Sequence, residues 1–134
     1  MQWILLIVTV VHVLPAVFWA GSTFVLTRAG GVGADRLAFP QLGAAALTAL
    51  SGGALWGLLH RSAFARPEQV LALGAVCALT AAGLQASALP SVRRLRGASE
   101  GDGVAPRRRI AMSKRIAAGL LVVAVAAMTS ARYV

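Results

Sequence analysis

Long apolar runs alternate with short polar or glycine-rich breaks along the whole chain. The runs cover residues 3–26, 42–59, 70–89 and 116–133, and each is close to the roughly 17–25 residues a helix needs to cross a bilayer. None holds Asp, Glu, Lys or Arg except at its very end, where the fourth has Arg132. The breaks fall at 28–40, 60–67 and 91–115; Gly30-Gly31-Val32-Gly33 in the first is a turn, with no strand before it to make it a phosphate loop. Short alternating segments of the kind that build a β-barrel are absent. The pattern predicts an all-α integral membrane protein, a four-helix up-down bundle forming one domain over residues 1–134. The first run lacks the basic leader of a signal peptide and is long enough to span, so it is expected to be a retained helix.

Charge orients the bundle. The breaks after the first and third runs carry Arg28, Arg36, Arg93, Arg94, Arg96, Arg107, Arg108, Arg109, Lys114 and Arg115; the opposite side has only Arg61, Arg66 and Arg132. Ten against three places the first set in the cytoplasm, with a cytoplasmic basic loop over 91–115 and both termini external. Trp3, Trp56 and Tyr133 then fall near the outer surface, where an interfacial aromatic belt is expected.

Composition agrees: of 134 residues 58% are hydrophobic and 13% charged, against roughly a quarter charged in soluble domains. The net charge of +9 sits between the apolar runs, where it contacts lipid headgroups, so membrane lipids are the expected partner and nucleic acid is not. A single cysteine, Cys77, rules out an intramolecular disulfide and any multi-cysteine metal site built from this chain alone.

Small residues recur at every fourth position: Ala45, Ala49, Gly53 and Gly57 in the second run, Gly74, Ala78, Ala82 and Ala86 in the third, and Gly119, Val123, Ala127 and Ala131 in the fourth. Such ridges let backbones approach closely in lipid, either within one bundle or between chains, as in a homodimer.

His12 and Cys77 are the ionisable side chains deep within a run, and an intramembrane ionisable group is a functional-site hypothesis. At helical spacing His12, Ala16, Trp19 and Thr23 share one face. His12 reads either as a neutral imidazole bonded to a hydroxyl or carbonyl of a neighbouring helix, or as an axial haem or copper ligand in the bundle core. By depth, Ser51 and Gly52 lie level with His12, and Gly52 and Gly53 would leave a flat face for a macrocycle. Cys77 is either a small hydrophobe or a second soft ligand. His60 lies too far along the membrane normal to share a haem with His12 and reads as interfacial. Gln85 is expected to hydrogen-bond between helices. Zinc hydrolysis would need a fuller ligand set and a carboxylate, and the runs hold none.

The segment His12-Val-Leu-Pro-Ala-Val-Phe-Trp19-Ala-Gly21 resembles the copper-resistance-D-like membrane family and its relatives, which include the HemJ-type protoporphyrinogen oxidases. Leu50-Ser51-Gly52-Gly53, Leu89-Pro90-Ser91-Val92-Arg93-Arg94-Leu95 and Ala131-Arg132-Tyr133 add to the likeness. The resemblance implies a small bacterial inner-membrane bundle that holds haem b or handles copper, with His12 matching the family histidine and acting in a redox or electron-transfer role. The third run has neither histidine nor lysine, which departs from the HemJ-type pattern and counts against porphyrinogen oxidation. Methionine- and histidine-rich outer segments, expected of a copper importer, are missing. The alternative is a non-catalytic accessory subunit packed beside other membrane protein subunits.

Overall fold

Three glycines make the first corner of the bundle. Gly30, Gly31 and Gly33 have φ of 62°, 86° and 81° in a computed structural model of the chain, which describes residues 2–59, 66–97 and 103–133. That left-handed backbone is open to glycine and strained for other residues. The corner joins α1 (Gln2–Arg28) to α2 (Ala34–Leu59) and lays them antiparallel. Beyond them come α3 (Arg66–Ser87), α4 (Leu89–Gly97) and α5 (Val104–Ser130), closed by a 3-10 turn at Ala131–Tyr133.

Four helical stretches, Gln2–Arg28, Ala34–Leu59, Arg66–Leu95 and Val104–Tyr133, are long and apolar enough to cross a membrane, and the chain is a multi-pass membrane protein. Residue pairs fix their directions. His12 of α1 meets Gly52 of α2, whereas Ser22 meets Gln41; Gly74 of α3 meets Met128 of α5, whereas Leu84 meets Ser113. The four spans therefore run up and down in turn, with the start of α1, the end of α2, the start of α3 and the end of α5 at one end of the bundle.

The stretch 91–115, expected as a loop, is largely helical in its described part. In α4, Val92 is buried and Leu89 and Leu95 pack beside it, while Arg93 and Arg94 point outward. Ile110 of α5, Leu26, Ala34 and Ala38 complete this cluster, which closes the arginine-rich end of the bundle. Packing on one face holds these polar helices, which hydropathy alone does not detect. The same cluster explains why α2 begins at Ala34, ahead of its apolar run and through Pro40.

The small-residue ridges are used unevenly. Gly74 packs directly on α5: a Cβ there would lie 3.1 Å from the Ala124 carbonyl oxygen and 3.3 Å from Ala127 Cβ. On α5 the buried stripe is Ala117, Leu121, Ala124 and Ala127, continued by Ala131 in the closing turn; Gly119 and Val123, expected on the ridge, face outward. Ala45 of the α2 ridge joins the core cluster that Ala78 and Ala82 of α3 pack against, but Ala49 and Gly53 of the ridge do not close on α3. A cavity lies between them.

Candidate cofactor site

The cavity measures about 470 Å³ and is bounded by α1, α2, α3 and α5. Its walls are small: Ala45, Ala49 and Gly53 from α2 face Ala75, Ala78 and Ala82 from α3. His12 and Trp19 of α1 form another side, and Trp56 and Met128 lie toward the end where α1 begins. Trp56, expected in the outer aromatic belt, is thus part of the cavity wall, whereas Trp3 and Tyr133 are exposed and the Arg132 guanidinium stacks 4.7 Å from the Tyr133 ring.

His12, Trp19, Gly52 and Gly53 all line this one cavity. Their parts differ from expectation in one respect. Gly52 is occupied by His12 itself: a Cβ at Gly52 would lie 3.0 Å from His12 Cε1 and 3.3 Å from Nδ1. The glycine admits the imidazole against α2, and the flat open wall is left to Gly53, which has no atom within 4 Å of its Cβ direction.

The imidazole's hydrogen bonds decide its tautomer. Nδ1 lies 2.9 Å from the Thr48 carbonyl oxygen and 3.2 Å from Ser51 Oγ. A carbonyl only accepts, and the Ser51 hydroxyl proton goes to Leu47 O at 2.6 Å, so Nδ1 carries the proton and donates. Nε2 is left with its lone pair and bonds to none of the described residues. A backbone carbonyl holding Nδ1–H is the usual arrangement behind a ligating Nε2. The two readings of His12 are therefore compatible: bonded to the neighbouring helix through one nitrogen, free to ligate through the other.

Trp19 is the floor of the cavity and the top of a polar knot that joins all four spans. Its indole Nε1 donates to Gln85 Oε1 at 2.9 Å, which gives Gln85 the interhelical bond expected of it; Gln85 Nε2 donates to Thr23 Oγ1 at 3.0 Å. Gln41 Nε2 donates to Ser22 Oγ at 2.8 Å, and Lys114 Nζ donates to Gln41 Oε1. Thr23 sends its own proton to Trp19 O at 2.7 Å. An ammonium can only donate, so Lys114 turns Gln41 Oε1 toward itself and Nε2 toward α1. Thr23 and Gln41 are fully buried and Lys114 is 5% exposed, with no carboxylate on the ammonium among the described residues.

Gln41 and Lys114 lie outside the expected site, since Lys114 reads in the sequence as one of the surface charges that set topology. A signal existed. Gln41, Ala45, Thr48 and Gly52 follow helical spacing, as do Ile110, Lys114, Ala117 and Leu121, so extending each buried stripe past its apolar run places both polar residues inward.

Other candidates stand apart. Cys77 is half-buried and does not line the cavity. His60 lies outside the described residues. Among the described residues no three His, Cys, Asp or Glu gather as a metal cluster. Comparison of the chain with protein-family models, curated proteins and solved structures gives no match in any of the three.

Proposed function

We propose that this chain is a bacterial inner-membrane protein that binds haem b through His12 and serves in electron transfer. The observation that carries the reading is the His12 imidazole, protonated and held at Nδ1 by Thr48 O, beside an apolar cavity of about 470 Å³. That volume lies within the roughly 300–1,000 Å³ usual for cofactor pockets. Haem suits a chain this poor in ligating groups, since the porphyrin supplies four of the iron's bonds and the protein need add only axial donors. Bound haem would provide a one-electron couple. His12 would hold the iron, the alanine walls of α2 and α3 would flank the macrocycle and exclude water, and Arg66 and Arg132, exposed at the same end of the bundle, are cations available to its propionates among the described residues. The family likeness adds the bacterial setting and offers copper as the alternative metal.

Purified full-length protein from haem-replete cells should show a Soret band at near-stoichiometric haem, and His12→Ala should remove it. Copper at one per chain with no Soret band would favour copper. Folded protein carrying neither would sink both. The accessory-subunit reading draws on α1, much of whose apolar surface is turned away from the bundle, with Trp3 77% and Leu14 and Val17 each 65% exposed. It requires co-purification with other membrane proteins at fixed stoichiometry.

The arginine-rich end is proposed to be cytoplasmic and both termini external. Arg28, Arg36, Arg93, Arg94, Arg107, Arg108, Arg109 and Arg115 are all exposed there; Lys114 leaves the count because it is buried, and the bias stays one-sided. In a Cys77→Ala background, Ser62→Cys should react with an impermeant thiol reagent in intact cells, and Val104→Cys only after the membrane is opened. The reverse pattern would invert the orientation.

A further inference from the structure

The cavity wall holds a second donor besides the histidine, and we propose that Met128 is the other axial ligand of the iron, making a His12–Met128 site. The inference rests on the haem reading above. Apart from His12, the described residues of the cavity wall include one side chain with an electron pair suited to iron. The Thr48 hydroxyl proton is committed to Ala44 O at 2.8 Å, the Trp19 indole only donates, and the remaining lining residues are apolar. The Met128 thioether is the exception.

Direction and support favour this pairing. Side chains on a helix lean toward its N-terminus. α1 starts at the end of the bundle where α5 finishes, so His12 leans toward that end and Met128 leans away from it. Met128 is five residues before Tyr133 and His12 ten residues after Gln2, which leaves a difference in depth of roughly 7 Å at about 1.5 Å per residue. The opposed leans narrow that gap. The stem of Met128 is also positioned: a Cβ at Gly74 would sit 3.2 Å from Met128 Cγ, so the missing side chain at 74 is the space in which the methionine runs. Cys77, the soft ligand considered from the sequence, is not in the wall.

A thioether ligand leaves marks independent of any activity. It gives ferric haem a sulfur-to-iron charge-transfer absorption in the near infrared, and a Met/His pair raises the reduction potential relative to nitrogen ligation. The test is absorbance, magnetic circular dichroism and potentiometry on purified haem-loaded wild type, Met128→Leu and Met128→His, with helicity checked by far-ultraviolet circular dichroism. Wild type should show the charge-transfer band; Met128→Leu should lose it and keep the haem on His12. Met128→His should restore a six-coordinate low-spin spectrum at a lower potential than wild type. A wild-type Soret band with no charge-transfer band, or a Met128→Leu protein with wild-type spectrum and potential, would overturn the Met128 assignment and leave the haem reading intact. Absence of any Soret band in wild type overturns both. The wild-type measurement decides the matter even if a variant fails to fold.

Discussion

Gly52→Val should strip the cavity of its cofactor while the bundle stays folded. A Cβ at this position would stand 3.0 Å from His12 Cε1, tighter than nine in ten such contacts, and valine adds two methyl groups beyond it. The imidazole must swing away from α2. In doing so it loses the 2.9 Å bond from Nδ1 to Thr48 O, which orients the ring and fixes its tautomer. Loss of such a supporting partner commonly weakens metal binding about 10–100-fold, and displacement of the ring itself adds to that. Folding should suffer less, because His12 is only part-buried and the polar knot lies two helical turns further along α1. Gly57→Ala is the control, since nothing lies within 4 Å of its Cβ direction and it does not line the cavity. Haem-to-protein ratio and thermal unfolding followed by circular dichroism report the two effects separately. A Gly52→Val protein with full haem and an unchanged spectrum would show that His12 is not the ligand held in this pose.

Gln41→Leu should be the most destabilising single substitution in the polar knot, and removing Lys114 as well should recover most of the loss. Gln41 accepts from the Lys114 ammonium and donates to Ser22, so leucine leaves a buried cation with no partner among the described residues. Breaking a buried charge's only contact typically costs about 3–5 kcal/mol, whereas replacing both members by apolar side chains of similar size is often close to neutral. Lys114→Met alone should therefore cost less than Gln41→Leu, and Gln41→Leu/Lys114→Met should be more stable than Gln41→Leu. Denaturant unfolding of the four proteins in detergent gives the coupling directly. Strict additivity, with Lys114→Met as damaging as Gln41→Leu, would mean that the knot contributes through packing and not through the buried charge.

These two substitutions fall on residues of different legibility. Gly52 was a candidate in the sequence because it stands level with His12 when residues are counted along two spans, and depth in a membrane is a one-dimensional quantity that counting captures. Its actual use, as the slot for the imidazole, depends on how α1 and α2 are rotated about their own axes. Lys114 is hidden in the sequence because a charged residue next to an apolar run reads as a topology signal, and Gln41 because it falls in the break before one. Only the extension of α2 to Ala34 and of α5 to Val104 carries the buried stripe past the apolar run and brings the two together.

The sequence by itself determined the class, the number of spans and the alternation of the chain, since four stretches without internal charge have no soluble way to hide their apolar surface. It also determined which face of α1 turns inward, through the spacing of His12, Ala16, Trp19 and Thr23. Tertiary structure decided the rest. Small residues at every fourth position permit close approach without requiring it, and in lipid no hydrophobic force drives one apolar helix against another. Gly74 therefore meets α5, and Ala45 joins the core cluster that Ala78 and Ala82 pack against, while Ala49 and Gly53 of α2 are left lining the cavity. The helices over 91–115 likewise exist because Leu89, Val92, Leu95 and Ile110 find Leu26, Ala34 and Ala38 to pack on, a contact between segments far apart in the chain that no local pattern of hydropathy contains.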